Sequence, residues 1–376
     1  MTTFEAPIPQ RRWHLPFQIR FEQRIEEPPR WYPLVISVGA ILFALALGAI
    51  VLLIVGGNPV AAYGHIAVAS FGSIGVFSDT LVKATPLILV GLACSLAFRM
   101  KLWNIGAEGQ FFIGALAASA IVLTPVLPAT TPKPIMLLVM GVAGFIGGAL
   151  WGFLPGYLKA KLRVNEVVTT LMMNYVAVAL VNFFIYGVWS ERGFQMSPVF
   201  PESAWMPRLA DYAEQVPAFS GLTLHLGLLI GLIAAIILWW VVYRSRWGYE
   251  IQLIGDNPQA ARYAGVDILR NTVLVMLVSG GLAGLAGMSE ISGVVHRLQG
   301  AISPGYGFTG IIIAWLAKLN PFIVIPVSIL FGSLILAGRE IQPAGIPRLI
   351  QGIILFALIS SEVLLRYRIR VVRRST

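Results

Sequence analysis

Residues 99–119 read RMKLWNIGAEGQFFIGALAAS, and long apolar runs lie on both sides of this stretch. One carboxylate, Glu108, and two amides, Asn104 and Gln110, stand in it among glycines. An ionised group inside an apolar membrane helix is costly, and glycine weakens a helix. The stretch therefore predicts an interruption between two helical segments.

The composition around this stretch is typical of a membrane protein. Of the 376 residues, 57% are hydrophobic and 12% are charged, whereas a soluble domain carries about 25% charged residues. The apolar blocks reach the ~20 residues that a helix needs to cross a bilayer, and they are too long for barrel strands. We therefore predict an all-α polytopic membrane protein. The basic residues flank the apolar blocks, which argues against nucleic-acid binding.

Hydropathy predicts ten membrane spans. They lie at 34–55, 80–98, 109–127, 135–158, 167–188, 223–243, 271–290, 307–319, 322–338 and 347–365. With a cytoplasmic N-terminus, the interior segments hold 20 of the 27 Lys and Arg residues, which is the positive-inside pattern. Both termini are therefore expected in the cytoplasm, although one miscounted span would place the C-terminus outside. The expected organisation is a cytoplasmic arm at 1–33, a transmembrane domain at 34–365 and a basic tail at 366–376.

Two polar segments between spans are long enough to carry structure, an external loop at 189–222 and a cytoplasmic loop at 244–270. In the second, Asn257 is a good N-cap before Pro258, and Gly265 is a good C-cap. This spacing predicts a short capped helix. Such a helix is either a surface feature or a docking element for another protein.

A second interruption, HRLQGAISPGYGFTGIIIAWLA at 296–317, matches the first. Each has a cation, then a break rich in glycine and polar residues, then an apolar run. The halves 80–188 and 271–365 begin with these corresponding elements in opposite orientation. They predict two inverted repeats with discontinuous helices near 104–110 and 300–309, an arrangement that surrounds the central site of many transporters.

The polar and aromatic residues of the breaks, with one more amide and one more acid, are the candidate lining of a translocation path. They are Asn104, Glu108, Gln110, Asn174, Glu290, Tyr306 and Phe308. Carboxylates and amides can form hydrogen bonds with a polar solute. The alternative for Glu108 is an ion pair with Arg99 or Lys101 at the cytoplasmic interface.

Motifs for enzymatic or metal chemistry are missing from the sequence. None of the six lysines follows a glycine, so no phosphate-binding loop is present. The four histidines lack metal-ligand spacing, and no hydrolase elbow occurs. We expect no catalytic residue, metal site or cofactor in this chain. Gly280, Gly284 and Gly287 have the spacing of close helix packing.

Four motifs in order, WNIGAEGQF, NEVVTTLMMNYVA, GDNPQAARYAG and SPGYGFTGIIIA, resemble the permeases of bacterial ABC importers of the branched-chain amino acid, ribose and simple-sugar group. The stretch NIGAEGQ is similar to nucleoside or simple-sugar permeases that work with a lipoprotein of the basic membrane protein type. The resemblance implies a location in the inner membrane and a nucleoside or simple sugar as substrate. It also implies an external binding (lipo)protein, a second homologous permease subunit, and cytoplasmic ATPase subunits that bind ATP and Mg.

The resemblance also gives the capped helix a function, because GDNPQAARYAG looks like the coupling loop that sits in a groove of the ATPase. The implied contact residues are Asn257, Ala260, Ala261, Tyr263, Ala264 and Gly265. Two hypotheses from other classes stay open. The first is a proton-coupled secondary transporter with Glu108 and Glu290 as relay carboxylates, and the second is an intramembrane enzyme that acts on lipid. The exact substrate and the choice between a homodimer and a heterodimer of permeases also stay open.

Overall fold

The computed structural model describes residues 17–23, 29, 31–124, 126–338, 349–354, 356–357, 360–361 and 367–373. The chain divides into two compact units, Met1–Val51 with Gly352–Thr376 and Leu52–Gln351. Most of the expected arm at 1–33 lies outside the described residues, and so do parts of the span at 347–365 and of the tail at 366–376.

The first unit contains most of helix α1 (Tyr32–Ile54) and a two-stranded sheet. Strand β1 (Phe17–Gln23) pairs antiparallel with β2 (Tyr367–Arg373), and Arg20 lies opposite Arg370 in the register. Both segments are rich in the β-branched and aromatic residues that favour strands. The rest of the described chain has the all-helical character that the sequence predicts, and this sheet is the feature that the prediction did not include.

The second unit is a bundle of helices. They are α2 (Pro59–Phe71), α3 (Ile74–Arg99), α4 (Ala107–Leu123), α5 (Lys133–Leu162), α6 (Glu166–Tyr186), α7 (Gly227–Arg244), α8 (Arg246–Asp256), α9 (Pro258–Tyr263), α10 (Ile268–Glu290), α11 (Tyr306–Leu316) and α12 (Pro321–Ala337). A π-helical segment, Ile291–Val295, continues α10. Three 3₁₀ turns, Glu202–Ala204, Leu209–Tyr212 and Pro217–Phe219, lie in the expected external loop.

The helix lengths show a multi-pass membrane protein. Five helices in the described part of the chain are long and apolar enough to cross a bilayer, namely α3, α5, α6, α7 and α10 with its π segment. The number rises to six if the bent pair Val38–Ile54 and Pro59–Phe71 forms one span. Helices α4, α11 and α12 are apolar but shorter. A helix lies at each predicted span between 34 and 338, whereas the count of ten crossings stays a prediction.

Helices α4, α5 and α10 approach so closely that their glycines face backbone atoms. A Cβ on Gly148 of α5 would collide with the carbonyl oxygen of Gly280 on α10, and a Cβ on Gly114 of α4 would collide with the backbone of Gly284. Gly284 also faces the carbonyl oxygen of Gly144. The predicted close packing of the α10 glycines is confirmed. Small residues hold membrane helices together in this way because lipid provides no hydrophobic drive for helix association.

Replacing Gly148 with alanine tests this packing. We expect a loss of about 1–3 kcal/mol of stability, since the new methyl group must push α5 and α10 apart. The measurement is the midpoint of thermal unfolding of the purified protein in detergent. The control is Gly141→Ala on the same helix, where an added Cβ would meet only the Leu285 Cδ2 atom at 3.9 Å. Equal unfolding midpoints for the two variants would contradict this close glycine packing between α5 and α10.

Candidate functional site

The two interrupted regions meet beside α3. Tyr306, the first residue of α11, lies next to Lys83 of α3, with 3.4 Å between the Tyr306 hydroxyl and Lys83 Nζ. At the other end of α11, the ring of Trp315 packs on Phe98 with 6.0 Å between the ring centroids. Helix α11 therefore runs along α3 in the same direction.

Helix α4 runs the opposite way. At its start, Asn104 Nδ2 donates to the hydroxyl of Ser279, which donates to the carbonyl oxygen of Ala93 on α3 (2.9 Å and 2.7 Å). Further along, the ring of Phe111 lies 5.7 Å from that of Tyr306. The N-terminal ends of α4 and α11 thus overlap inside the bundle. The inverted-repeat hypothesis requires this arrangement, although the repeat symmetry itself stays a prediction.

Two amide side chains hold the backbone of the first break. Asn104 Nδ2 donates to Gln110 Oε1 at 2.9 Å, and Gln110 Nε2 donates back to Asn104 Oδ1 at 3.1 Å. The same Asn104 oxygen accepts from the backbone N–H of Gly106 at 3.1 Å. Both side chains are buried. These two candidate path residues therefore bind each other in this conformation and do not face an open cavity.

Asn174 reaches this break from α6. Its Oδ1 accepts from the N–H of Gly109 at 2.8 Å, and its Nδ2 donates to the carbonyl oxygen of Ile105 at 2.9 Å. One turn earlier, the Thr170 hydroxyl accepts from the N–H of Ile105 at 3.3 Å. The first N–H groups of a helix have no partner within it, and burying them unpaired is costly. Side chains of α6 therefore position the start of α4.

Glu108 bridges the two breaks. Its Oε2 accepts from the N–H of Gly307 at 2.5 Å. Because Glu108 is in the first turn of α4 and Gly307 is in the first turn of α11, one carboxylate lies at the N-terminal ends of two helices. The dipole of each helix favours a negative charge at that end.

The alternative ion pair of Glu108 with Arg99 or Lys101 does not occur in the described structure. Arg99 Nη2 instead donates to the Tyr243 hydroxyl at 2.6 Å and to the carbonyl oxygen of Leu319 at 2.7 Å. Arg99 thus joins the end of α3 to the end of α7 and to the turn after α11. The carboxylate and this arginine serve different parts of the fold.

A buried ion pair lies next to the second break. Lys83 Nζ is 2.9 Å from Glu290 Oε1, and both side chains are almost fully buried. The same ammonium also donates to the Tyr306 hydroxyl at 3.4 Å. Lys83 was missed as a site residue. Its position inside an apolar run is the signal that could have found it, because an ionisable residue at such depth requires a partner.

Phe308 is the candidate path residue that stays apart from these clusters. Its side chain is 44% exposed, whereas the other six candidates are buried. The structure therefore brings together the two breaks, α6 and the end of α10, and it leaves one aromatic ring of α11 on the surface of the chain.

The expected external loop is docked on the π-helical segment. Arg208 donates from Nε and Nη2 to the carbonyl oxygen of Gly293, at 3.1 Å and 2.8 Å. A cation suits this place because the last carbonyl groups of a helix lack partners within it. The ring of Trp205 stacks on His296 with 4.2 Å between centroids. No pattern in the sequence indicated these partners, since single arginine and tryptophan residues in a polar loop do not reveal what they contact.

His296 receives a further contact from the same arginine. Arg208 Nη2 lies 2.7 Å from His296 Nε2, and an arginine can only donate, so Nε2 accepts and Nδ1 carries the proton. Burial and the nearby Arg208 charge lower the pKa of His296 to about 4. The contact between the loop and the end of α10 therefore persists at neutral pH.

The predicted capped helix in the cytoplasmic loop is confirmed as α9. Asn257 Oδ1 accepts from the N–H groups of Gln259 and Ala260, at 3.0 Å and 3.1 Å. Pro258 is the first residue of the helix, and Gly265 follows its end with a φ of +75°, a backbone conformation that favours glycine.

The coupling residues implied by the resemblance do not share one surface. Tyr263 is 94% exposed, and Asn257, Ala264 and Gly265 are also exposed. Ala261 is 0% exposed, so its side chain packs within this chain and is not available to another subunit. The physical reason is helical geometry, because residues two apart on a helix do not face the same way. Ala261 is therefore corrected from a contact residue to an internal anchor of α9.

Comparison with known proteins assigns this architecture. A family model described as the branched-chain amino acid transport system / permease component matches residues 76–359. The chain belongs to this family.

Relatives of this permease cover nearly its full length. The glucose ABC transporter permease protein TsgB13 of Haloferax volcanii is 36% identical over 91% of this chain and 91% of its own. The guanosine ABC transporter permease protein NupP of Bacillus subtilis is 35% identical over 90% and 95%. The nucleoside ABC transporter permease protein NupB of Lactococcus lactis is 31% identical over 85% and 88%. The resemblance to ABC permeases of the nucleoside and simple-sugar subgroup is confirmed.

The ion pair in this permease gives a direct prediction. Lys83→Met and Glu290→Gln, made separately, should each cost about 3–5 kcal/mol of stability, because each leaves a buried charge without its opposite charge. The double variant should be clearly more stable than the sum of the two losses predicts. Thermal unfolding midpoints in detergent for the four proteins measure the coupling. Strictly additive losses would show that the two charges do not depend on each other.

Proposed function

We propose that this chain is the membrane-spanning permease subunit of an ATP-driven importer for a nucleoside or a simple sugar. The observation that carries the proposal is family membership together with near full-length similarity to ABC permeases named for glucose, guanosine and nucleosides. An external binding protein delivers the solute, and a second homologous permease completes the path. A separate cytoplasmic ATPase, which binds ATP and Mg, drives the cycle.

The proposed arrangement has ten spans in two inverted repeats, with both termini in the cytoplasm. Helix α11 has 11 residues and a length of about 16 Å, roughly half of the ~30 Å hydrocarbon layer. It is therefore a half-span that ends inside the membrane, as a discontinuous transporter helix does. The excess of basic residues on one side, 20 of 27, supports the orientation in the inner membrane.

The proposed path runs along the junction of α4 and α11. Asn104, Glu108 and Gln110 are buried in this conformation, so a solute reaches them only when the two half-helices separate. Phe308 is already exposed on α11 and offers an aromatic face to a base or sugar. In this proposal, the conformation described here is closed to the solute.

A proton-coupled secondary transporter is not favoured. Its proposed relay carboxylates are both engaged, since Glu290 pairs with Lys83 and Glu108 accepts from Gly307. Three relatives that match 85–91% of this chain are named as ABC permeases. Uptake that continues in cells without the partner ATPase would restore this alternative.

The function is tested by uptake of labelled guanosine and labelled glucose into cells that produce the complete importer. Tyr263→Asp should abolish uptake and release the ATPase on co-purification, because it places a charge in a packed interface. The matched control is Tyr249→Asp on α8, at another exposed tyrosine of the same loop. This variant should retain both uptake and co-purification of the ATPase. If the ATPase co-purifies equally well with both variants, α9 is not the docking element.

Glu108→Gln tests the path role. Glutamine keeps an oxygen for the N–H of Gly307 but removes the charge. A path role predicts normal abundance with uptake per transporter reduced about tenfold, the value of one charge-assisted hydrogen bond. A purely structural role predicts a lower unfolding midpoint, since a charge at a helix N-terminus contributes about 0.3–2 kcal/mol, with uptake per transporter unchanged.

The control for this variant is Glu166→Gln. Glu166 is also a buried acid in the first turn of a helix, α6, but its carboxylate pairs with Lys159 at 2.7 Å and not with α11. It should change stability without changing uptake per transporter. A similar loss of specific uptake in both variants would remove the special role assigned to Glu108.

A further inference from the structure

A cleft of about 810 Å³ lies apart from the proposed path. Its walls come from the first half of α5, the start of α7, the C-terminal part of α10 and the segment at 206–212. The lining is almost entirely apolar, with side chains such as Leu137, Ile230, Leu285 and Met288. A cavity of this size and character is large enough for a small molecule or an extended chain.

The cleft lies at membrane depth. Three of its walls belong to helices that are long and apolar enough to cross a bilayer. On its α5 side, the lining residues Leu138 and Val142 are 67% and 50% exposed on the surface of the chain. For a membrane helix, such exposed apolar side chains face lipid. The medium that surrounds this cleft therefore consists of acyl chains.

A single cation lies on the wall of the otherwise apolar cleft. Lys133 is the first residue of α5 and lines the cavity. Among the described residues, its ammonium group has no hydrogen bond or ion pair, and the first turn of α5 contains no acid. Helix α5 has 30 residues, a length of about 45 Å, so its ends reach the headgroup layers. Lys133 is thus placed at the depth of lipid phosphates.

We propose that this cleft binds an anionic phospholipid of the bilayer, with one acyl chain in the apolar cavity and the phosphate at Lys133. The apolar walls select a hydrocarbon chain, and the unpaired ammonium group selects a negative headgroup. Tyr212, which also lines the cleft, adds a hydroxyl group to this otherwise apolar lining. The bound lipid joins α5, α7 and α10 at the end where the external loop docks.

Gly141 offers a way to fill the cleft without disturbing the fold. It lines the cavity, and a Cβ placed there would meet only Leu285 Cδ2 at 3.9 Å. Gly141→Leu should therefore occupy the space of the acyl chain. The matched control is Gly64→Leu on α2, where an added Cβ has nothing within 4 Å. Lys133→Gln removes the charge and leaves the cavity unchanged.

The measurement is native mass spectrometry of the full chain in detergent, titrated with phosphatidylglycerol or phosphatidylcholine of the same acyl chains. The wild type and Gly64→Leu should retain one tightly bound lipid, with a preference for phosphatidylglycerol. Gly141→Leu should lose that lipid for both headgroups. Lys133→Gln should keep the lipid, but its preference for phosphatidylglycerol over phosphatidylcholine should fall about fivefold, which is the contribution of one basic residue near a membrane surface.

Two outcomes would overturn the proposal. Equal lipid retention by Gly141→Leu and Gly64→Leu would show that the acyl chain of the lipid is not bound in this cleft. If Gly141→Leu instead reduces the population of permease dimers and leaves lipid retention unchanged, the cleft is covered by a second permease subunit.

Discussion

A helix that stops inside a bilayer must find partners for the backbone groups it frees, because lipid supplies none. This constraint explains most of the polar residues at the two breaks. Asn104 and Gln110 lock the loop before α4, and Asn174 supplies both a donor and an acceptor to the same loop. Ser303 accepts from the N–H groups of Gly305 and Tyr306 at the start of α11. Glu108 completes the arrangement, since it satisfies α11 from within α4.

The two kinds of contact around α4 differ in how easily they can change. Against α5 and α10, the glycines bring backbone against backbone, and a Cβ on Gly114 would collide with the backbone of Gly284. Against α11, Gly307 also packs on the backbone of Glu108, and this contact is joined by one carboxylate on the N–H of Gly307 and by the ring pair of Phe111 and Tyr306. A hydrogen bond and a ring contact can break and re-form at a modest cost. The hydrogen bond and the ring pair are therefore the parts of the α4–α11 contact that can open at modest cost.

Sequence reasoning located the breaks, the polar residues in them and the caps of α9, because each depends on neighbours along the chain. It could not find partners that the fold brings together, such as Lys83 with Glu290 or Arg208 with the π-helical segment. A lone ionisable residue shows that a partner is needed without showing which. The error at Ala261 was avoidable from sequence, since Ala261 and Tyr263 cannot point to one surface on a helix. The pairing of β1 with β2 joins segments at opposite ends of the chain, so local patterns carry no information about it.

The internal packing of α9 determines how a displacement of this helix can reach α4 and α11. Helix α9 is anchored by the buried Ala261, and α8 before it packs Gly255 against the backbone of Arg99 at the end of α3. The Arg99 side chain then bonds the carbonyl oxygen of Leu319, just after α11. A displacement of α9 would therefore reach the end of α3 through packed backbone and the turn after α11 through the Arg99 side chain. Because α11 has only 11 residues and its other end contacts α4 through Glu108, a shift at its C-terminal end acts directly on the junction where the proposed path opens.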